Sequence, residues 1–144
     1  MASGQIDACI LIVDDDADVR AMLRRWTEHR SRQILEAANA EEALALCIRH
    51  DVDVALCDVE MPGKDGLWLA SQLTAISQRI MVLFVTGLDS LPPRSTLAPR
   101  VDGYLVKPLQ REHLIKAVVA ATARARAAQS APLIEALDPT LIDF

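Results

Sequence analysis

Short, unbroken apolar runs alternate along the chain with longer stretches in which apolar positions recur at helical spacing. The run Cys9-Ile-Leu-Ile-Val13 ends abruptly in Asp14, Asp15 and Asp16, as a strand covered on both faces by helices would. Over 17–30, Val19, Met22, Leu23 and Trp26 share a helical face while Arg20, Arg24 and Arg25 lie elsewhere on the surface, which predicts an amphipathic helix. Residues 33–37 form a second short strand candidate. Asn39 is placed to N-cap a helix over 40–49, a stretch rich in Ala, Leu and Glu. The apolar run 52–57 is closed by another aspartate, Asp58; the loop 61–66 holds Pro62, Gly63 and Gly66, and 67–76 returns to a helical pattern. Residues 80–85 make the cleanest strand.

The rhythm weakens over 88–100, which holds Pro92, Pro93 and Pro99. A proline inside a helix costs roughly 3 kcal/mol, so a helix there is expected to be short, displaced or absent. Residues 103–106 read as a fifth strand, Lys107-Pro108 as a turn, and 110–129 as a long helix with Leu114, Ile115, Val118, Val119 and Thr122 on its core side. Strict alternation with apolar strands predicts an α/β fold built on a doubly wound, five-stranded parallel sheet with helices on both faces. The domain is expected over 1–129, and 130–144 is expected to be a tail or linker. That tail carries Leu133, Ile134, Leu137, Leu141, Ile142 and Phe144, too apolar for an ordinary disordered end.

Composition narrows the classes. With 144 residues, 51% of them apolar, the chain closes one core but not two. Fifteen Lys+Arg against 20 Asp+Glu give a net charge of -5, which supplies no electrostatic footprint for direct DNA binding. Cys9, Cys47 and Cys57 are odd in number and form no C-x-x-C pair, so buried free thiols are expected rather than a disulfide framework or thiolate metal site. No apolar run approaches the roughly 18 residues of a membrane span, and the amino terminus lacks a signal-peptide layout; a cytoplasmic protein without membrane contact is expected.

Ligands of a doubly wound sheet gather outside the carboxyl ends of its strands. There the first predicted strand ends in Asp14-Asp15-Asp16, the third in Asp58, the fourth in Thr86 and the fifth in Lys107. Clustered carboxylates raise one another's pKa unless a cation lies among them. A hard divalent ion, Mg2+ with Mn2+ as a substitute, suits Asp14, Asp15 and Asp58 as ligands, directly or through water. A carboxylate beside such an ion can attack phosphorus, Lys107 can neutralise the transferred oxygens, and the Thr86 hydroxyl can donate to one of them.

The segments Leu11-Ile-Val-Asp-Asp15, Asp58-Val-Glu-Met-Pro-Gly-Lys-Asp-Gly66, Val82-Leu-Phe-Val-Thr-Gly87 and Asp102-Gly-Tyr-Leu-Val-Lys-Pro108 together resemble the receiver domain of two-component response regulators, of the stand-alone, chemotaxis-regulator-like type. Each motif alone is weak; four in order on predicted strand ends are specific. The resemblance implies a flavodoxin-like strand order 2-1-3-4-5. It implies Asp58 as phosphoacceptor, Asp14 and Asp15 as the Mg2+-holding pair, the backbone carbonyl of Glu60 as a further ligand and Lys107 as the phosphoryl contact, before a cis Pro108. Thr86 and Tyr104 would be the coupled switch residues. It further implies a phosphorylation-dependent switch, not an enzyme with a separate substrate. Its partners would be a histidine kinase or phosphotransfer protein and an unidentified downstream protein, with a homodimer as one arrangement of the output face.

Two departures stand out. The prolines of 88–100 make that output face unusual, and the acidic Glu60 predicts an altered phosphate lifetime. Two other functions compete: the receiver end of a longer transcription factor or hybrid kinase, and a Mg2+-dependent phosphatase, whose nucleophile and second acid two residues on are matched formally by Asp14 and Asp16. Blander roles are expected for several residues. Asp16 should cap a helix, Asp65 should serve the loop and Gly66 a backbone need. Cys57 should face a helix, Trp26 and Trp68 should be core or half-buried surface rather than ligand platforms, and His29, His50 and His113 should lie on the surface.

Overall fold

The computed structural model describes residues 7–77, 79–87 and 101–129. Five parallel strands form one sheet: β1 Cys9–Val13, β2 Gln33–Ala37, β3 Val54–Cys57, β4 Met81–Thr86 and β5 Val101–Val106, in the order β2-β1-β3-β4-β5. Four α-helices accompany them among the described residues: α1 Ala17–Thr27, α2 Ala40–Arg49, α3 Gly66–Ile76 and α4 Arg111–Gln129. The expected doubly wound, flavodoxin-like architecture is present. The expectation about 88–100, and that about the tail 130–144, lie outside the described residues.

Alternation of side chains across each strand divides the core in two. Cys9, Leu11, Val13, Ala55, Cys57, Val82 and Phe84 pack beneath α2 and α3, against Ala43, Cys47, Leu69 and Leu73. Ile10, Ile12, Val54, Leu56, Met81, Leu83 and Val85 face α1 and α4, against Leu23, Leu114 and Val118. Every residue of β1, β3 and β4 is buried, which is why these strands read as unbroken apolar runs. Each fully buried Leu, Ile or Phe contributes roughly 1.5–3 kcal/mol.

Beyond shifts of one or two residues in β3, β4, α3 and α4, two boundaries and one helix face differ from the sequence reading, each for a local reason. The first helix ends at Thr27, whose hydroxyl donates to the Leu23 carbonyl (2.8 Å), and Glu28–Arg30 tightens into a 3-10 turn. Strand β5 begins at Val101, ahead of the predicted start, through an irregularity in its pairing with β4. There the Asp102 carboxylate accepts the Val82 N–H (2.8 Å), so a residue ill-suited to strands replaces a ladder carbonyl. On α4 the buried stripe is Leu114, Val118, Ala121, Thr122 and Ala125. Val119 lies outside it, 37% exposed, contrary to the expected core side, because it is turned about 100° around the helix from Val118. No helix among the described residues is long and apolar enough to cross a membrane.

Candidate functional site

The carboxyl ends of β1, β3, β4 and β5 converge on one acidic crevice. Asp14 follows β1, and its N–H donates to the Ala37 carbonyl (3.2 Å), tying the turn to β2. Its carboxylate is 2% exposed and accepts the Asp16 N–H on Oδ1 (2.9 Å). Asp16 itself caps α1, accepting from Asp18 N–H (2.9 Å), as expected. Asp58 follows β3, its N–H donating to the Val13 carbonyl (3.0 Å) and its Oδ1 accepting the Glu60 N–H (3.3 Å). Thr86 closes β4 and is fully buried. Lys107 follows β5 with its N–H on the Thr86 carbonyl (2.8 Å), and the Lys107–Pro108 peptide is cis.

These placements bring oxygens of Asp14, Asp15 and Asp58 within 4.8 Å of one another. The Lys107 ammonium lies 3.6 Å from Asp14 Oδ2 and 3.7 Å from Asp58 Oδ2, close enough for ion pairing but beyond hydrogen-bond distance. Burial pushes the Asp58 carboxyl up, and the neighbouring Asp14 adds to it, against the opposing pull of Lys107 and the Glu60 N–H. Asp14 is raised too, first by burial, with its hydrogen bond from Asp16 and the Lys107 charge opposing. One ammonium therefore does not balance the pair.

Among the described residues, three buried side-chain polar atoms have no hydrogen-bond partner: Asp14 Oδ2, Thr86 Oγ1 and the Tyr104 hydroxyl. Each such atom costs on the order of 1–3 kcal/mol, and all three belong to residues predicted as site residues. An under-compensated, all-oxygen set of three carboxylates fits a hard divalent cation of the Mg2+ type. Asp14, Asp15 and Asp58 would hold it.

The other predicted residues differ in what they bring. Glu60 reaches Asp58 through its backbone N–H while its side chain is exposed. Tyr104 is half-buried against Phe84, with ring centroids 5.6 Å apart, and burial raises its phenol. Cys57 lies in the core cluster under α2 and α3, where burial pushes its thiol well up, so its place beside Asp58 in sequence confers no reactivity. All three cysteines are free and buried, and His29, His50 and His113 are exposed.

Two residues do more than their sequence context announced. The Arg20 guanidinium donates to the Asp14 carbonyl (2.6 Å) and pairs with Glu36 of β2 (3.5 Å), clamping the acidic turn from behind. Its only sequence signal was membership of the polar face of α1. Gly66, whose N–H donates to the Val59 carbonyl (2.8 Å), packs so tightly that a Cβ there would lie 2.3 Å from the Asp58 carbonyl oxygen.

Residues 10–119 match the response regulator receiver domain family. Transcriptional regulatory protein AruR of Pseudomonas aeruginosa is 32% identical over 84% of this chain and 52% of its own length. Transcriptional regulatory protein ResD of Bacillus subtilis is 30% identical over 81% of this chain and 48% of its own. The chain thus spans about half the length of these relatives. Among solved structures, the receiver domain of AraT, a response regulator from Geobacillus stearothermophilus, superposes with a TM-score of 0.73 at 30% identity, covering 85% of this chain and 98% of that one. The Francisella response regulator 1452 receiver domain does so with a TM-score of 0.72 at 28% identity, over 82% and 98%.

Proposed function

Because this chain belongs to the response regulator receiver family, a family of signalling switches, we propose that it is the phosphorylation-dependent switch of a two-component system, with Asp58 as its phosphoacceptor. The observation that carries this reading is the Lys107 ammonium shared between Asp14 and Asp58, together with the buried, unpartnered hydroxyl of Thr86 at the end of β4. An Asp58 carboxylate oxygen attacks the phosphorus of a phosphohistidine on a histidine kinase or phosphotransfer protein. The P–O bond forms as the P–N bond breaks, and the imidazole leaves with the electron pair and takes up a proton. Asp14, Asp15, Asp58 and the Glu60 carbonyl would hold a Mg2+ ion, which would supply positive charge to the transferred oxygens. Lys107 supplies a second cation, and Thr86 donates its hydroxyl to a phosphoryl oxygen. Tyr104 follows Thr86, and the altered surface is read by a downstream protein.

A second reading, the receiver portion of a longer transcription regulator, is favoured by the relatives named transcriptional regulatory proteins, of which this chain spans about half. It places the same chemistry at Asp58 and assigns DNA contact to another part of the polypeptide. A phosphatase reading is disfavoured because the Asp16 carboxylate is engaged in capping α1. Intact-mass spectrometry after incubation with Mg2+ and acetyl phosphate tests the proposal. One added phosphoryl mass is expected for the wild type and none for Asp58→Asn; a folded, Mg2+-binding wild type without the adduct would overturn phosphoacceptance from small donors.

A further inference from the structure

Asp14 is held at every hydrogen-bonding atom but one. Its N–H donates to the Ala37 carbonyl (3.2 Å), its carbonyl accepts from the Arg20 guanidinium (2.6 Å) and its Oδ1 accepts the Asp16 N–H (2.9 Å). The remaining atom, Oδ2, is buried with no hydrogen-bond partner among the described residues and faces the Lys107 ammonium at 3.6 Å. An oxygen left over when the rest of its residue is pinned is one that the fold reserves for a ligand.

Of the three pins, Arg20 is the one supplied by a side chain. It stands in the first turn of α1, with its own N–H on the Asp16 carbonyl (3.1 Å), so its side chain leans back over the turn that carries the carboxylates. The carbonyl it grips belongs to the peptide plane joining Asp14 to Asp15. One contact therefore orients both acidic residues. The guanidinium is fixed in turn by Glu36 of β2 (3.5 Å), and its rigid fork of donors can serve a carbonyl and a carboxylate together. Arg24 also donates to Glu36 (2.8 Å), but it does so from outside, with its side chain 42% exposed against 19% for Arg20. The charge of Arg20 is met by Glu36, while the charges that act on the Asp14 carboxyl are those of Lys107, Asp15 and Asp16.

We propose that Arg20 is a positioning residue for the divalent cation: by holding the Asp14–Asp15 peptide against Glu36 of β2, it presets both carboxylates for the metal. The inference rests on the reading of Asp14, Asp15 and Asp58 as the residues that hold the cation, and adds one that acts on them through the main chain. Groups that orient metal ligands from behind are typically worth about 10–100-fold in affinity. Charge and geometry here make opposite predictions. Deleting a cation near three carboxylates should by charge alone tighten Mg2+ binding, whereas freeing the Asp14–Asp15 peptide should weaken it.

Isothermal titration of the full chain with MgCl2 tests this, with urea melts of the metal-free proteins alongside. Arg20→Met keeps an apolar stem in place and removes the guanidinium. Its dissociation constant should rise at least about tenfold. Arg24→Met removes a charge from the same Glu36 without touching Asp14, and should stay within about twofold of the wild type. Glu36→Gln, which loosens the guanidinium from β2, should weaken binding in the same direction, and it decides alone should Arg20→Met lose its cooperative urea transition. An unchanged or tighter dissociation constant in folded Arg20→Met would overturn the proposal and leave Arg20 a brace of the fold. An equal loss in Arg24→Met would overturn it too, because the effect would then lie in the charges along α1. A wild type that binds no Mg2+ would remove the cation reading and this inference with it, a result distinct from binding that ignores Arg20.

Discussion

A carboxylate in a crevice with too little positive charge is a liability to the fold and an asset to the site. Both Asp14 and Asp58 have folded-state pKa values above their ordinary 3.8, so the native state holds protons that the unfolded chain releases. Below about pH 4 both states are protonated and the cost vanishes. As pH rises from there through the raised folded values, stability falls, and above them the full cost remains. Asp58→Asn should therefore make the metal-free protein more stable at pH 7, by on the order of 1 kcal/mol. That gain should shrink as pH is lowered toward 4; urea melts at pH 4 and 7 would check both statements. Gly66 carries the opposite prediction. Its missing Cβ would meet the Asp58 carbonyl oxygen at 2.3 Å and the Val59 Cα at 2.9 Å, backbone atoms that cannot swing aside. Gly66→Ala should cost about 2–3 kcal/mol and slow phosphoryl uptake at least about tenfold by displacing Asp58, measured by denaturant midpoint and by the rate of the mass shift. At this scale the ionisable residues were legible because each ends a strand. The requirement at Gly66 was legible only as a backbone need, since the atom it would strike is distant in the pattern of apolar positions. Arg20 was hidden because its partner is a main-chain carbonyl, which no side-chain pattern records.

Among the elements, legibility followed how local the stabilising contacts are. The bounds of α2 were readable to the residue because Asn39 accepts the Glu42 N–H (2.8 Å) while Glu42 returns a bond to the Ala38 N–H (3.1 Å), a reciprocal cap written in adjacent sequence. Asn39→Ala should cost about 1 kcal/mol without changing phosphoryl uptake, and a thermal melt paired with the adduct assay would show the two effects separate. The start of β5 was not readable. The strand was read from Gly103 because Asp is ill-suited to strands, and only the Val82 N–H on the neighbouring strand makes Asp102 a strand residue. The core side of α4 was misjudged at Val119 because hydrophobicity ranks Val above Ala, whereas the buried stripe runs through Val118, Ala121 and Ala125, about 100° around the helix from Val119.

For the whole molecule, the fold was the most legible feature, because unbroken apolar strands alternating with amphipathic helices leave few other topologies. A cation entering the crevice should couple to global stability by mass action. At about a hundred times its dissociation constant Mg2+ would add roughly 2.7 kcal/mol, some 5–10 °C in Tm for a chain of this size. Asp15→Asn should remove most of that gain while leaving the metal-free Tm within about 2 °C, since Asp15 is exposed; calorimetry with and without Mg2+ would measure both.

The shared ammonium has a further consequence, one of timing during synthesis. Asp14 and Asp58 are synthesised well before Lys107, which follows β5 and is, among the described residues, the side chain that pairs with both. While the ribosome is still extending the chain, β1, β2 and β3 can already associate, but the nucleophile they present stands in an unneutralised acidic pocket. Under the function proposed above, a nascent chain is mute to its donor until β5 docks, and a phosphoryl group reaches only a fold in which Lys107 is in place.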